Sequence, residues 1–198
     1  MADILRDYPI IDAIFSYETY TKAGMKTPVV VTSNADTFVG RCANLWCYYT
    51  AGQCTDGLSN RMTVHSARRN RMLGLQMYAA DAKGFLHWAY NYYYDELSQG
   101  LFDPLATPDG FLGRGPGSTY MVYPAPNGTP IASTRMKVFY EGLCDLRALR
   151  ALEKKRGRAY VLAFMEERLG KINFHTLIDS DEKLLSFREE VNAALAAK

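Results

Sequence analysis

The sequence predicts an α/β fold built on a parallel β-sheet, and two observations lead to this prediction. Apolar runs of strand length alternate with helical segments, an order typical of parallel sheets. Four such runs occur, at residues 10–15, 28–32, 45–49 and 85–90. A closed (β/α)8 barrel needs eight strands and about 250 residues, whereas this chain has 198 residues. We therefore expect about half of such a barrel, followed by a helical tail.

Local signals place the individual elements. Residues 28–32 read PVVVT, a β-branched run typical of a buried strand, and a short strand is expected at 120–123. Ser133 and Ser180 are good N-cap residues, and Gly24 is a common C-cap. Helices are therefore expected at residues 3–8, 17–23, 36–39, 68–82 and 158–169, and in the segments that begin after Ser133 and Ser180.

Two long loops interrupt this pattern, at residues 50–67 and 95–118. The second is rich in glycine and proline, and loops of this length within a domain are usually functional. We expect residues 1–132 to form the half-barrel, with an aromatic-rich cleft and the loop-rich insertion. Residues 133–198 are expected to form a helical tail that packs on it, so that the two parts make one structural domain.

The composition excludes several classes of protein. Hydrophobic residues make up 48% and charged residues 22% of the chain, which is typical of a globular protein and not of a disordered one. The formal net charge of +2 lacks the basic excess of nucleic-acid-binding domains. No apolar run approaches the roughly 20 residues of a membrane span. The charged N-terminus lacks the apolar core of a signal peptide, so a cytoplasmic protein is expected.

The sequence contains no recognisable metal or cofactor motif. The four cysteines are not spaced as C-x-x-C, and reduced thiols are expected, with a disulfide or metal site as the alternative. Motifs of nucleotide-binding loops, zinc proteases and serine hydrolases are absent from the sequence. We expect no metal and no cofactor. The cysteines are Cys42, Cys47, Cys54 and Cys144.

Aromatic side chains are concentrated at residues 85–94, which read FLHWAYNYYY, and at residues 45–49, which read LWCYY. In parallel α/β folds the carboxyl ends of the strands form the ligand-binding face. Aromatic rings at that face stack on the apolar faces of sugars, and tyrosine and asparagine side chains bind sugar hydroxyls. The candidate substrate-binding residues are Trp46, Tyr48, Trp88, Asn91 and Tyr93.

A structural role competes with sugar binding for these aromatic residues. Aromatic side chains are favoured in strands, so about half of these rings are expected in the core. Strand alternation would place Trp88 and Tyr90 on one face and Asn91 and Tyr93 on the other. Stacking on single-stranded nucleic acid would need interleaved lysine and arginine, which residues 85–113 lack. No nucleic-acid partner is therefore expected.

Acidic residues are the other requirement of sugar chemistry. A glycoside hydrolase commonly needs two carboxyl groups, or one carboxylic acid and an assisting substrate amide. Asp95 and Glu96 follow the aromatic strand and are weak catalytic candidates, with a solvated loop as the alternative. Asp12 lies in an apolar run, where a carboxylate needs a partner or a function. Further candidates are Asp103, Asp109 and Glu141.

Several blocks carry a family resemblance. They are GFLHWAYNYYY at residues 84–94, STYMVYP at 118–124 and EGLCD at 141–145, together with the pairs Asn60-Arg61 and Asn70-Arg71. In order and approximate spacing they resemble the C-terminal region of glycoside hydrolase family 123 proteins, also known as domain of unknown function 4091. The resemblance covers roughly residues 10–155.

This resemblance implies the C-terminal half of a (β/α)8-type barrel that cleaves β-linked N-acetylgalactosamine without a metal or organic cofactor. It also implies an adjacent Asp-Glu pair on a barrel strand, in which the glutamate is the general acid and the aspartate steers the acetamido group of the substrate. That pair is expected upstream of the matched region, and Asp95 and Glu96 stand in the wrong place for it. Ser118 replaces a family aspartate, whereas Arg135 and Asp145 match family positions and are expected to be structural.

Three interpretations of the sequence remain open. The chain is the substrate-binding half of such an enzyme, a noncatalytic carbohydrate-binding or barrel-completing domain, or an unrelated α/β protein with an aromatic core. The first two predict a glycan ligand, and a half-barrel predicts an unpaired edge on its first strand. Because such edges pair or aggregate, we expect a homo-oligomer or a missing N-terminal half as partner, and no membrane.

Overall fold

Four parallel strands, β1 to β4, form the central sheet. The computed structural model describes residues 8, 10–53, 58–95, 98–108 and 115–197 of the chain. The strands lie side by side in chain order and pair in parallel, which confirms the predicted α/β fold with a parallel sheet. They are β1 Ile11–Ile14, β2 Thr27–Val31, β3 Trp46–Tyr49 and β4 Gly84–His87.

Helices and one hairpin make up the other regular elements of the described residues. Antiparallel strands β5 Val122–Pro124 and β6 Pro130–Ala132 form the hairpin. Short 3-10 turns occur at Asp36–Phe38 and Ala51–Gln53. The helices are α1 Tyr17–Ala23, α2 Thr32–Ala35, α3 Ala67–Arg71, α4 Leu73–Ala79, α5 Thr134–Arg156, α6 Arg158–Leu169 and α7 Asp181–Ala196.

The helix ends predicted from local signals are confirmed. The Ser133 hydroxyl accepts a hydrogen bond from the Met136 amide at 3.2 Å and begins α5. The Ser180 hydroxyl accepts one from the Lys183 amide at 3.0 Å and begins α7. Gly24 ends α1 with a φ of 60°, a left-handed conformation that glycine adopts without steric cost. These boundaries are set by single residues, which is why the sequence alone predicts them.

The sheet has two chemically different faces. On the helix-side face, Val30, Cys47 and Tyr49 are fully buried and join the apolar side chains of α4 to α7 in one core cluster. Among the described residues, the side chains that alternate onto the opposite face do not belong to this cluster. These opposite-face residues are Val29, Val31, Trp46, Tyr48 and Leu86.

The C-terminal helices share the core of the sheet. Val161 and Phe164 of α6 and Leu184 and Phe187 of α7 are buried in the same cluster as the helix-side residues. The rings of Phe164 and Phe187 lie 5.9 Å apart. Burying a side chain of this size contributes about 1.5–3 kcal/mol, so α6 and α7 stabilise the sheet by covering it.

Two sequence-based expectations about the strands are wrong. β4 ends at His87 rather than at residue 90, and Ala89 has a φ of 54°, so strand alternation does not extend to the tyrosines that follow. Asp12 needs neither a buried partner nor a function: it is exposed on β1, which lies at the edge of the sheet as the half-barrel predicts, and its Oδ1 accepts a hydrogen bond from the Ala13 amide at 2.8 Å. The helix expected at residues 3–8 falls outside the described residues, apart from its last residue.

Three of the cysteines are free thiols, and Cys54 lies outside the described residues. Burial raises the pKa of the Cys47 thiol, which keeps this group protonated and unreactive near neutral pH. In the described part of the chain, no group of three or more His, Cys, Asp or Glu residues could hold a metal ion. No helix among the described residues is long and apolar enough to cross a membrane.

Candidate functional site

Tyr49 and His87 lie at the carboxyl edge of the sheet, where parallel α/β proteins bind their ligands. They are the last residues of β3 and β4 and are partners in the parallel register. Their ring centroids lie 6.1 Å apart on the helix-side face. The His87 ring also meets the Phe139 ring of α5 edge-on at 5.5 Å. This edge is therefore closed on the helix side by aromatic packing.

Arg61 lies beside these rings with no exposed surface. Its Nη2 donates hydrogen bonds to the carbonyls of Trp88 and Ser118, the latter at 2.7 Å, and its guanidinium carbon lies 5.1 Å from the Tyr49 ring centroid. Nε and Nη1 have no hydrogen-bond partner among the described residues. Burial lowers the pKa of Arg61 to about 10, so the guanidinium stays charged at neutral pH.

Arg135, near the start of α5, extends the same network. Its Nη1 donates to the carbonyls of Gly117 at 2.6 Å and Arg61 at 3.1 Å, and its Nη2 donates to that of Tyr120 at 2.9 Å. Arg61 and Arg135, called the arginine pair below, together bind five backbone carbonyls. The pair therefore ties the loops above the carboxyl edge to one another.

Asn60 supports the arginine pair from the neighbouring loop. Its Nδ2 donates to the carbonyls of Thr50 and Gln53 at 3.0 and 2.9 Å, and its Oδ1 accepts the Arg61 amide at 2.7 Å. Asn60 is fully buried, and a buried polar side chain must be hydrogen-bonded to be tolerated. These bonds fix the loop after β3 and thereby the backbone that carries Arg61.

His87 is neutral in the folded protein. Burial is the main cause and the positive charge of Arg61 adds to it, lowering the pKa of His87 to about 3. Neither ring nitrogen has a hydrogen-bond partner among the described residues. So weak a base is a poor proton acceptor near pH 7, which makes His87 a packing residue of this edge.

Replacing His87 with phenylalanine should remove an acid-sensitive contribution to stability. The unfolded chain protonates this imidazole below its ordinary pKa of about 6.5, whereas the folded protein resists protonation until about pH 3. The contribution is therefore present above pH 6.5 and is lost as the pH falls toward 3. Lowering the pH from 7 to 5 should reduce the free energy of unfolding, measured with urea, by about 2 kcal/mol more in wild type than in His87→Phe. Equal losses in the two proteins would contradict this prediction.

The structure places Trp46 at the amino end of the sheet. Trp46 is the first residue of β3 and pairs with Val29 and with Gly84, the first residue of β4. A Cβ added to Gly84 would lie 2.3 Å from two atoms of the indole, so the indole covers Gly84 across the opposite face. Tyr48 pairs with Leu86 one step nearer the carboxyl edge. Tyr48 is therefore better placed than Trp46 to meet a ligand.

Changing Gly84 to alanine should displace the Trp46 indole. The added methyl group would overlap the ring at 2.3 Å, and overpacking of this kind costs about 1–3 kcal/mol. In a Trp88→Phe background, which leaves one of the two tryptophans, the emission of Trp46 should move to longer wavelength and the urea midpoint should fall. Gly52→Ala is the control, because its Cβ would have its nearest neighbour at 3.5 Å. Unchanged emission would mean that the indole does not cover Gly84.

The other candidate binding residues follow β4. Trp88 is half-buried, and Asn91 is exposed and forms an isolated β-bridge with Tyr120. The Tyr93 hydroxyl donates a hydrogen bond to the Val122 carbonyl at 2.7 Å, so it is already used within the protein. The structure thus brings Trp88 and Asn91 together on one loop at the carboxyl edge, and Tyr93 supports the hairpin beneath that loop.

Each candidate carboxylate that the structure describes is either bonded within its own loop or exposed. Asp95 Oδ1 accepts the Gly100 amide at 2.8 Å, and Asp103 Oδ1 accepts the Leu105 amide at 2.9 Å, so each closes a turn of its own loop. Glu141 is exposed on α5. The two carboxylates that lie outside the described residues are Glu96 and Asp109.

Asp145 has the contacts of a structural residue. Its Oδ2 accepts a hydrogen bond from Arg71 Nε at 2.7 Å, and its Oδ1 accepts bonds from Arg71 Nη2 and Arg188 Nη1 at 3.0 Å each. The Asp145 side chain is only 5% exposed. This charge cluster joins α3, α5 and α7, and the bond to Asp145 raises the pKa of Arg71.

The buried polar framework at the carboxyl edge is not apparent from the sequence. Asn60 and Arg61 stand in the segment 50–67, where polar composition suggests an exposed loop, yet both are fully buried. Their occurrence in one of the blocks that resemble family 123 was the only signal that could have singled them out. Neither spacing nor charge separates Arg61 from the other arginines of the chain.

The carboxyl edge of a parallel sheet is where α/β proteins bind their ligands, and here it carries partly exposed aromatic side chains and hydrogen-bonded polar loops. Residues 1–152 match the family described as Glycoside hydrolase 123, catalytic domain, and the chain belongs to this family. The match spans the whole sheet and most of α5, and it confirms the family resemblance found in the sequence. No curated protein matches the chain.

Proposed function

We propose that this chain forms the C-terminal half of a (β/α)8-type barrel in a family 123 glycosidase. In this role it supplies part of the wall that binds a β-linked N-acetylhexosamine, for which we propose N-acetylgalactosamine. The Asp-Glu catalytic pair belongs to the other half. The family match over residues 1–152 supports the glycosidase class. Four parallel strands in chain order support the half-barrel, since a closed barrel has eight.

The distribution of carboxylates carries the proposal that the acid pair lies elsewhere. The four parallel strands are described along their full length, and Asp12 is their only carboxylate. On the edge strand β1, Asp12 and Ile14 are two residues apart and therefore share a face. Ile14 belongs to the core, so this is the helix-side face. Asp12 therefore does not face the side of the sheet that would become the barrel interior. A general acid on a barrel strand has no counterpart among these four strands.

The residues placed to meet the sugar are Tyr48, Trp88 and Asn91. Tyr48 is half-buried on the opposite face near the carboxyl edge, and Trp88 and Asn91 follow β4 at the same edge. An indole or phenol ring stacks on the apolar face of a pyranose. The Asn91 amide, with a donor and an acceptor, suits an acetamido group. No charged group is needed for this recognition, which fits a neutral glycan.

A second candidate function is a noncatalytic carbohydrate-binding or barrel-completing domain, and it is favoured by the four strands, whose only carboxylate is Asp12 on the helix side. The exposed edge of β1 fits both candidates. Ile10, Ile11 and Phe15 are 40%, 50% and 67% exposed, and an apolar edge strand is a template for pairing with another chain. Turnover needs the remaining half of the barrel, supplied either by an N-terminal segment or by another copy in a homo-oligomer. The two candidates differ only in whether the completed barrel cleaves the glycan.

Binding and turnover should be measured on the same protein. Titration calorimetry with a glycan that ends in β-linked N-acetylgalactosamine should give binding, and the matching galactose glycan, which lacks the acetamido group, should bind more weakly. A chromogenic β-N-acetylgalactosaminide should not be hydrolysed by this chain. If neither glycan bound, the carbohydrate function would be contradicted.

The Glu96→Gln variant serves as the control for the position of the acid. Turnover by the wild-type chain that this substitution abolishes would place the general acid at Glu96 and overturn the proposed division of the site. Turnover that survives the substitution would place an acid elsewhere in these residues and overturn it as well. Binding without turnover in both proteins is the expected result.

A further inference from the structure

The segment that carries Trp88 and Asn91 is not held by the parallel sheet. β4 ends at His87 and Ala89 has a φ of 54°, so residues 88–92, the post-strand segment, leave the strand direction. Their backbone instead pairs with residues 117–121, the facing segment, through hydrogen bonds of 2.8 and 2.9 Å. The orientation of the post-strand segment therefore depends on whatever holds the facing segment.

The arginine pair holds both segments. Arg61 Nη2 donates to the Trp88 carbonyl in the post-strand segment and to the Ser118 carbonyl in the facing segment. Arg135 donates to two further carbonyls of the facing segment, at 2.6 and 2.9 Å, and to the carbonyl of Arg61 at 3.1 Å. Displacing the Arg61 guanidinium would release the carbonyls of Trp88 and Ser118, and displacing that of Arg135 would release the facing segment against which residues 88–92 pair.

Burying the charge of Arg61 costs free energy, and a purely stabilising role does not explain this cost. Arg61 is fully buried and charged, and among the described residues neither arginine of the pair forms an ion pair with a carboxylate. Burying a charge without an opposite charge is costly. Departures of this kind from the rules of stable packing are expected at functional or strained positions.

We propose that Arg61 and Arg135 are positioning residues, which fix Trp88 and Asn91 in the orientation that meets the sugar. This inference rests on the proposed function, because it assigns the sugar contact to the post-strand segment. Nη2 of the planar Arg61 guanidinium directs its two N–H bonds at fixed angles to the Trp88 and Ser118 carbonyls. A lysine ammonium keeps the charge, but it rotates freely on a flexible stem and does not fix these two directions, so Arg61→Lys separates positioning from charge.

The test compares Arg61→Lys with Arg150→Lys. Arg150 Nη2 donates to the Ala82 carbonyl at 3.1 Å, just before β4, so the control loses the same kind of bond at the amino end of the sheet. Arg61→Lys should weaken glycan binding at least about tenfold, the loss expected for one or two misplaced contacts. In a Trp46→Phe background, where Trp88 is the single tryptophan, its emission should also shift. Arg150→Lys should leave the affinity and the emission unchanged.

Each outcome decides the inference. Wild-type affinity and unchanged Trp88 emission in Arg61→Lys would overturn it. So would equal losses of affinity in both variants, because those would reflect general destabilisation. If Arg61→Lys does not fold, the half-buried Arg135 is changed to lysine instead, with the same expectations. If wild type binds no glycan, the proposed function fails, and the emission of Trp88 in Arg61→Lys alone decides whether the pair positions this segment.

Discussion

Changing Gly74 to alanine should unfold the protein or destabilise it severely. Gly74 lies in α4 where it crosses α5, and an added Cβ would lie 1.8 Å from the carbonyl oxygen of Gly142 and 2.7 Å from its carbonyl carbon. Both are backbone atoms of a helix and cannot rotate away. In an exposed helix, alanine is favoured over glycine by about 1 kcal/mol. Here the overlap, which costs about 3 kcal/mol or more, outweighs that preference.

Urea unfolding followed by circular dichroism measures the effect. Gly142→Ala tests the same crossing from the other helix, because its Cβ would lie 2.6 Å from the Arg71 carbonyl oxygen. The control is again Gly52→Ala, whose nearest neighbour would lie at 3.5 Å. If Gly74→Ala differed from this control by less than about 1 kcal/mol, the two helices would have to cross farther apart than the structure has them.

This helix crossing illustrates what a single sequence does not reveal. Gly74 and Gly142 both lie within helical patterns, where an isolated glycine signals only a weaker helix. Their meaning comes from their position opposite each other across two helices, which depends on the tertiary structure. By contrast, local chemistry predicts the strand at residues 28–32 from its β-branched run, and the start of α5 from the N-cap Ser133. The strands, their parallel order and most helix ends are therefore predictable.

The end of β4 shows where a local signal misleads. The aromatic run continues to Tyr94, and strand propensity continues with it, yet the strand stops at His87. The backbone after it pairs with residues 117–121 instead, and the sequence does not encode this choice within a short window. For this reason the candidate residues Trp88 and Asn91 are found at the carboxyl edge, but not on the faces that strand alternation assigned to them.

The aromatic residues of the candidate site could be predicted from the sequence, but the buried arginine that holds its loops could not. Aromatic enrichment singled out Tyr48 and Trp88, both of which lie half-buried at or near the carboxyl edge. It also singled out Trp46, since composition cannot tell the first residue of a strand from the last. The burial of Arg61 was not predicted, because a charged residue in a loop is usually exposed. Its burial depends on carbonyls supplied by two distant segments.

Changing Asp145 to asparagine should destabilise the protein strongly. Asp145 is 5% exposed and accepts three hydrogen bonds from Arg71 and Arg188, whose side chains are 16% and 27% exposed. Asparagine has the same shape but no charge, and its amide group would face a guanidinium. Removing one partner of a buried charge cluster costs about 3–5 kcal/mol, so the urea midpoint should fall sharply.

The surface pair of Arg68 and Asp181 provides the matched control. Arg68 Nη1 lies 2.6 Å from Asp181 Oδ1, and the Asp181 side chain is 65% exposed. Because solvent screens such a pair, Asp181→Asn should cost at most about 1 kcal/mol. The Arg68–Asp181 pair and the Asp145 cluster both attach α7 to α3, the cluster through α5. A simple loss of this attachment would therefore affect the two variants alike. A cost for Asp145→Asn no larger than that for Asp181→Asn would mean that burial does not strengthen the Asp145 cluster.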